Sequence, residues 1–288
     1  MSSATWRAIG VVAVTGALLL AGCGDDDDET AGGGGGSCET EDLTLVKEGT
    51  LTIGTDTPAF PPWFEDDDPT NGEGFESAVA YAVAEELGFA PEDVEWTVVP
   101  FNNAFAPGDK SFDFDINQVS ISEEREQAID FSDGYYDVNQ AIVGFSDSEA
   151  ASATSLEDLK GLKLGAQQGT TSLDFINDVI DPDQEPYVYN DNSAAKAALD
   201  AQQVDGIVLD LPTAFYVSAV EIEGTAVIGQ FPSVGEDPEQ FGLVFEEGNP
   251  LRDCVNEALA SLRDSGRLAE IEQEWLSEVV DAPVIPVE

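Results

Sequence analysis

The sequence contains no histidine, and its 10 lysines and arginines face 59 aspartates and glutamates, a net charge of −49 over 288 residues. Without histidine the commonest metal ligand and the usual proton shuttle near neutral pH are missing, and hydrolytic triads built on that residue are excluded. So few basic residues cannot form a patch that neutralises phosphates, so nucleic acid is not an expected partner. No glycine-rich phosphate loop ending in Gly-Lys occurs, and neither a metal nor another cofactor is expected. What is present suffices for a sizeable core: 42% of the residues are hydrophobic, with 15 phenylalanines and 4 tryptophans, enough for one large lobe or two ordinary ones.

Residues 1–22 read as a secretory signal peptide. One positive charge, Arg7, precedes an apolar run from Ala8 to Leu20 that is shorter than the roughly 20 residues a membrane span needs. Leu20-Ala21-Gly22-Cys23 resembles the bacterial lipobox, which implies lipidation of Cys23 and anchoring to the outer face of the cell membrane. Residues 23–37 then form an acidic, glycine-rich tether with nothing to build a core. With Cys23 lipidated, Cys38 and Cys254 remain as an even pair in an oxidising compartment, and a disulfide between them is expected. Closing so long a loop is worth about 3 to 5 kcal/mol on the chain-entropy account.

From Leu51 onward strand and helix patterns alternate. Strands are expected at Leu51–Thr55, Val94–Val99, Phe112–Ile116, Ala141–Phe145, Lys163–Ala166, Pro186–Tyr189, Gly206–Leu209 and Gly242–Phe245. Helices are expected at Glu76–Leu87, with Val79, Val83 and Leu87 on one face, and at Thr171–Val179, Ala194–Gln202, Leu251–Leu262 and Leu268–Trp275, with a capped turn at Ser155–Leu159. The alternation predicts an α/β fold with largely parallel sheets.

Four stretches bear on chemistry. Asp113–Arg125 passes from an alternating strand to a helix start at Ser122, where free N–H groups, the Ser120 and Ser122 hydroxyls and the Arg125 guanidinium would together grip a carboxylate. Arg125 pairing with Glu123, Glu126 or Asp130 on a solvated face is the local alternative. Thr55–Phe64 is a proline-stiffened aromatic loop after a strand, and Gln167–Thr171 joins another strand to a helix N-terminus. Asp210 closes the apolar strand Gly206–Leu209, either as a site carboxylate or as an N-cap for a helix beginning at Pro212.

In this order these stretches resemble family 3 of the bacterial extracellular solute-binding proteins. The resemblance rests on Gly54-Thr55-Asp56, Phe60-Pro61-Pro62, Gly74-Phe75-Glu76, Ser120 to Arg125, Asp130 to Tyr136, Leu156 to Gly161, Gln168 to Thr171 and Asp205 to Asp210. It implies a two-lobed periplasmic-binding-protein fold of type II, with two hinge strands and the ligand in the interlobe cleft. Residues 38–138 with 237–288 would form lobe 1, and 139–236 lobe 2. It implies the extracytoplasmic substrate-binding component of an ABC importer, working as a monomer with a separate permease and ATPase.

Carried over by position, Arg125 would hold an amino acid's α-carboxylate with Ser120 and Thr170, and Asp210 its α-ammonium. Phe60 and Phe101 would wall the side chain, and Asn117, Gln118, Gln167 and Asp56 would line the remainder. Asp56 stands where relatives that bind cationic amino acids place a carboxylate, although one residue more separates it from Phe60 than in those relatives. Gly134 replaces a common proline, and Ser77-Ala78 replaces an apolar-acidic pair. No spare lysine or arginine is evident near the cleft, which favours a polar or basic ligand over an acidic one. The same fold also serves cyclohexadienyl and arogenate dehydratases, the alternative from another functional class.

Overall fold

A computed structural model describes residues 37–233, 238–276 and 282–287. The expected signal peptide and the lipidation site Cys23 lie outside the described residues, as does the tether up to residue 36. Among the described residues no helix is long and apolar enough to cross a membrane.

The first sheet collects β1 (Leu51–Thr55), β2 (Val94–Val98), β3 (Phe114–Asp115) and β4 (Ile129–Phe131). The chain then crosses through β5 (Tyr136–Val138) into β6 (Gln140–Phe145), β7 (Leu164–Gln167), β8 (Tyr187–Tyr189), β9 (Gly206–Asp210) and β10 (Thr225–Phe231). It returns through β11 (Glu239–Phe241) and re-enters the first sheet as β12 (Val244–Glu246). The two sheets run in the orders β2-β1-β3-β12-β4 and β10-β6-β9-β7-β8, and β5 pairs with β11 as a separate antiparallel ribbon. That ribbon is the pair of hinge strands.

Neither sheet is largely parallel. β1 runs parallel to β2 and β3, but β12 opposes both β3 and β4. In the second sheet β7 runs parallel to β8 and β9, while β6 opposes both β9 and β10. The opposed strands β6 and β12 are those that enter a lobe directly from the hinge. No helical crossover precedes them, and such a crossover is what would turn the chain round to run parallel.

Helix α1 (Phe75–Glu86) buries Val79 and Val83 against Leu51, Ile53 and Phe245, with Leu87 following on the same face. Each large aliphatic side chain so buried is worth about 1.5–3 kcal/mol. The C-terminal helices of residues 251–264 and 267–276 bring Val255, Leu259 and Ile271 to the same core, and Cys254 on the first of them is disulfide-bonded to Cys38, as the cysteine count predicts. The second sheet has apolar clusters on both faces, around Ile142 and Val208 on one and Val143 and Ile207 on the other.

Two further expectations need correction. The segment after Ser122 is not a helix but a single 3-10 turn, Arg125–Gln127, because Ile129–Phe131 is drawn at once into the sheet edge beside β12. The tail 282–287, assigned to lobe 1, lies on the second sheet: Gln230 donates its N–H to the Pro283 carbonyl at 2.8 Å, and Ile285 packs over Gly229.

Candidate functional site

The strand ends of both sheets face one another across a cavity of about 60 Å3. Asp56, Phe60, Phe101, Asn117, Gln118, Ser120 and Arg125 line it from one side, and Gln167, Thr170 and Asp210 from the other. All ten residues singled out from the sequence therefore meet at a single site. Thr57, Pro58 and Thr171, from two of the stretches expected to bear on chemistry, also line it, as do Asp191 and Asn192, which were not singled out.

Arg125 is 9% exposed and makes no ion pair with any described carboxylate. Its local alternative is thereby set aside: Asp130 pairs with Arg252 instead, at 3.6 Å. Nη1 donates to the Ser120 carbonyl at 2.6 Å and Nη2 crosses the cleft to the Gly169 carbonyl at 2.9 Å. The guanidinium lies 4.5 Å from the Phe105 ring centroid and 5.8 Å from that of Phe101, a favourable place for a cation whose solvation has been stripped. Burial pulls its pKa down, opposed by Asp174, Glu239, Asp210 and Glu124. Ser122 does cap the turn, its hydroxyl accepting from the Arg125 N–H at 3.3 Å, but one turn offers no row of free helix N–H donors.

Gly169 has φ +79°, and a Cβ there would collide with the Asn102 side chain from the opposite lobe. Glycine thus lets the loop after β7 come close enough for its carbonyl to reach Arg125. Beside it the Thr170 hydroxyl caps the helix of residues 171–175, accepting from the Leu173 N–H at 3.2 Å.

Asp210 makes no cap hydrogen bond to the helix that follows. Its Oδ1 accepts instead from Gln140 Nε2 at 3.0 Å. Burial first, then the neighbouring charges of Glu239 and Glu76, push its carboxyl up to about 8, with Gln140 and Arg125 acting in the other direction. Asp56 is held by two backbone amides: Oδ2 accepts from the Phe101 N–H at 3.1 Å and Oδ1 from the Thr57 N–H at 2.7 Å.

Glu76 is fully buried behind the cavity, where it accepts from the Gln118 N–H at 2.7 Å, the Gln118 side-chain amide and the Tyr135 hydroxyl. Burial raises its carboxyl to about 7 against these three donors. They hold Gln118 at φ +49° with its amide carbonyl left over. Asp115 has both oxygens buried without a described partner, and burial together with Glu76 and Asp56 pushes its carboxyl well above the usual range.

Further contacts join the lobes. Trp63 Nε1 donates to Thr213 Oγ1 at 2.8 Å, and Ser120 Oγ lies 3.3 Å from Thr171 Oγ1. Lys196 Nζ sits 3.9 Å from the centroid of the Phe60 ring while paired with Glu221 at 2.8 Å. A lysine thus reaches the aromatic loop, but it is paired with Glu221 and does not line the cavity, so it is not a spare cation for a ligand. Lys196 is four residues beyond Asn192 on a helix that carries it over the aromatic loop, a proximity set by lobe packing that its own neighbours in sequence do not signal.

Residues 51–278 match the bacterial extracellular solute-binding proteins, family 3. The chain belongs to that family. It is 31% identical over 245 residues to the L-cystine-binding protein TcyJ of Escherichia coli (strain K12), covering 81% of this chain and 85% of that protein. Structures of an ancestral arginine-binding protein bound to glutamine and to arginine superpose with TM-scores of 0.66 and 0.67 at 32% and 33% identity, covering 80% and 79% of this chain and 98% of theirs. An ancestral amino acid-binding protein described as a precursor of cyclohexadienyl dehydratase has a TM-score of 0.65 at 28% identity, over 79% of this chain and 95% of that one. The family match and these neighbours establish the two-lobed periplasmic-binding fold.

Proposed function

We propose that this protein is the extracytoplasmic substrate-binding component of an ABC importer and captures a free amino acid with a polar or basic side chain. One observation carries the reading: the Arg125 guanidinium and the Asp210 carboxyl, from different lobes, line the same cavity, and neither is in an ion pair among the described residues. A zwitterion supplies both missing partners. Its carboxylate accepts the fork of Arg125 with Ser120 and Thr170 nearby, and its ammonium donates to Asp210, so one ligand ties the lobes together and favours the closed arrangement.

Phe60 and Phe101 give the side chain its apolar walls. Asp56, Asn117, the carbonyl of Gln118, and Gln167 meet its polar end, an acceptor-rich set that suits an amide, ammonium or guanidinium group. Relatives named for cystine and arginine, and a neighbour bound to glutamine, are consistent with that class. Calorimetric titration of the twenty amino acids and cystine tests the reading; tight binding of glutamate alone, or of none, overturns it.

The lobes divide as 38–138 with the return segment after residue 237, and 139–236, with the tail riding on the second lobe. Lipid on Cys23 tethers the protein to the outer face of the cell membrane, beside the permease and ATPase that transport requires, and the chain works as a monomer. Cys23→Ala should move the protein from the detergent phase to the aqueous phase on phase separation. A dehydratase is the second reading, because Asp210 and Glu76, with raised pKa values in and behind the cavity, have the character of general acids. Turnover of prephenate or arogenate by the purified protein would establish it.

A further inference from the structure

Behind Asp210, outside the lining of the ligand cavity, stand two residues that the reading above does not use; both line a neighbouring cavity that shares Thr171 with it. Gln140 begins β6, directly after the hinge, and is cross-strand partner to Asp210. Glu239 begins β11, the other hinge strand. Gln140 is 4% exposed, and its Oε1 accepts from the Ser172 hydroxyl at 2.6 Å. Its Nε2 therefore faces the carboxylates, at 3.0 Å from Asp210 Oδ1 and at 3.2 and 3.3 Å from the two oxygens of Glu239. The reversed amide would set a carbonyl against two anions, so one orientation is enforced. Thr171 Oγ1 lies 3.3 Å from the same nitrogen, and Glu239 Oε1 also accepts from Ser120 Oγ at 2.6 Å.

Two carboxylates thus share one neutral amide where a cation is to arrive. We propose that Gln140 and Glu239 complete the ammonium subsite: Gln140 is the positioning residue that fixes Asp210, and Glu239 supplies a second negative charge that selects an ammonium-bearing ligand over its des-amino analogue. This inference rests on the amino-acid-binding reading and deepens it. Both hinge strands then feel the ligand, because Glu239 is carried by β11 and Gln140 follows β5 by two residues.

The charged and titratable groups facing the pair are Glu76, Arg125, Asp174, Tyr135 and Tyr136. Only Arg125 is positive, and it is engaged with carbonyl oxygens. An arriving ammonium is therefore the cation that meets Asp210 beside Glu239, and it displaces the proton that burial and the Glu239 charge favour on the Asp210 carboxyl.

The test compares L-glutamine with 4-carbamoylbutanoate, and L-arginine with 5-guanidinopentanoate, on the unmutated protein and on Glu239→Gln, by calorimetry in buffers of different ionisation heat between pH 6 and pH 8.5. The unmutated protein should prefer the amino acid of the pair it binds, gain affinity as pH rises and release protons on binding. Glu239→Gln, which keeps shape and an acceptor for Ser120, should lose tenfold or more for the amino acid, little or nothing for the des-amino acid, and most of the proton release. Equal losses for both members of a pair, or an unchanged pH profile, overturn the inference. Gln140→Met, with its fold checked by circular dichroism, should lose affinity in the same selective way. Failure of the underlying reading looks different: the unmutated protein itself then gives no binding heat with any amino acid.

Discussion

Replacing Arg125 by alanine removes a guanidinium that donates to the carbonyls of Ser120 and Gly169 and rests on the rings of Phe105 and Phe101. Loss of one partner from a buried, hydrogen-bonded charge pair costs about 2 to 5 kcal/mol of binding, much of it from leaving the other charge unpaired. That is roughly 30-fold to several-thousand-fold in Kd at about 1.4 kcal/mol per tenfold. Stability should respond far less. The side chain is a desolvated cation without an ionic partner in the empty site, so removing it deletes two hydrogen bonds of about 1.5–3 kcal/mol each but also the burial penalty of the charge. Arg125→Lys should fall in between, because an ammonium keeps the charge and loses the two-pronged geometry. Calorimetry with the best-bound amino acid gives the affinities and a melting curve gives the fold. A Kd within threefold of the unmutated protein, with an unchanged melting curve, would refute the carboxylate role.

Two predictions concern stability. The folded carboxyls of Glu76 and Asp210 titrate at about 7 and about 8, above their ordinary values of 4.5 and 3.8, so between roughly pH 4 and pH 8 the native state holds protons that the unfolded chain has released. Stability from these groups is then highest on the acid side of that window and falls as pH rises through it, by about 3 kcal/mol for Glu76 alone. Melting temperatures of the ligand-free protein in molar KCl, which screens the surface charge, should drop from pH 5 to pH 8 and drop less in Glu76→Gln; a rise over that interval would refute the assignment. The Cys38–Cys254 bond spans 216 residues, which the chain-entropy account values at about 5 kcal/mol. Reduction should therefore lower the denaturation midpoint markedly, and an unchanged midpoint would mean that the reduced unfolded chain is already restrained.

The legible parts of this fold were those with a local signature. Val79, Val83 and Leu87 announce the buried face of α1 by their spacing, and Ser155 with Asp158 forms the expected capping box at the turn of residues 156–159. The site residues were legible because each ends a strand or begins a turn, and open α/β sheets gather such ends at one place. What escaped was set by partners distant in sequence. β10 and β11 owe their existence to β6 and β5, each over 80 positions earlier, and β11 is only three residues long. Gln140 reads as an ordinary strand start until Ser172 and Glu239 are set beside it. Lys196 reads as the exposed lysine of a polar helix until Phe60 arrives from the other lobe.

The acidity of the chain makes the state of Arg125 informative. Even among 59 carboxylates the described arginines differ: Arg252 pairs with Asp130 and Asp253 and Arg267 with Glu270, while Arg263 donates to the Gly134 carbonyl. Arg125 instead has Asp174, Glu239, Asp210 and Glu124 near enough to raise its pKa, and none of them in ion-pair contact. Asp210 is turned toward Gln140, and Glu239 toward Gln140 and Ser120, by hydrogen bonds that the positive charge alone would not favour. Those hydrogen bonds keep both carboxyls out of ion-pair contact with the cation. A site that neutralised itself would offer a zwitterion nothing, whereas one that holds its own charges apart binds a molecule whose charges are separated in the opposite sense.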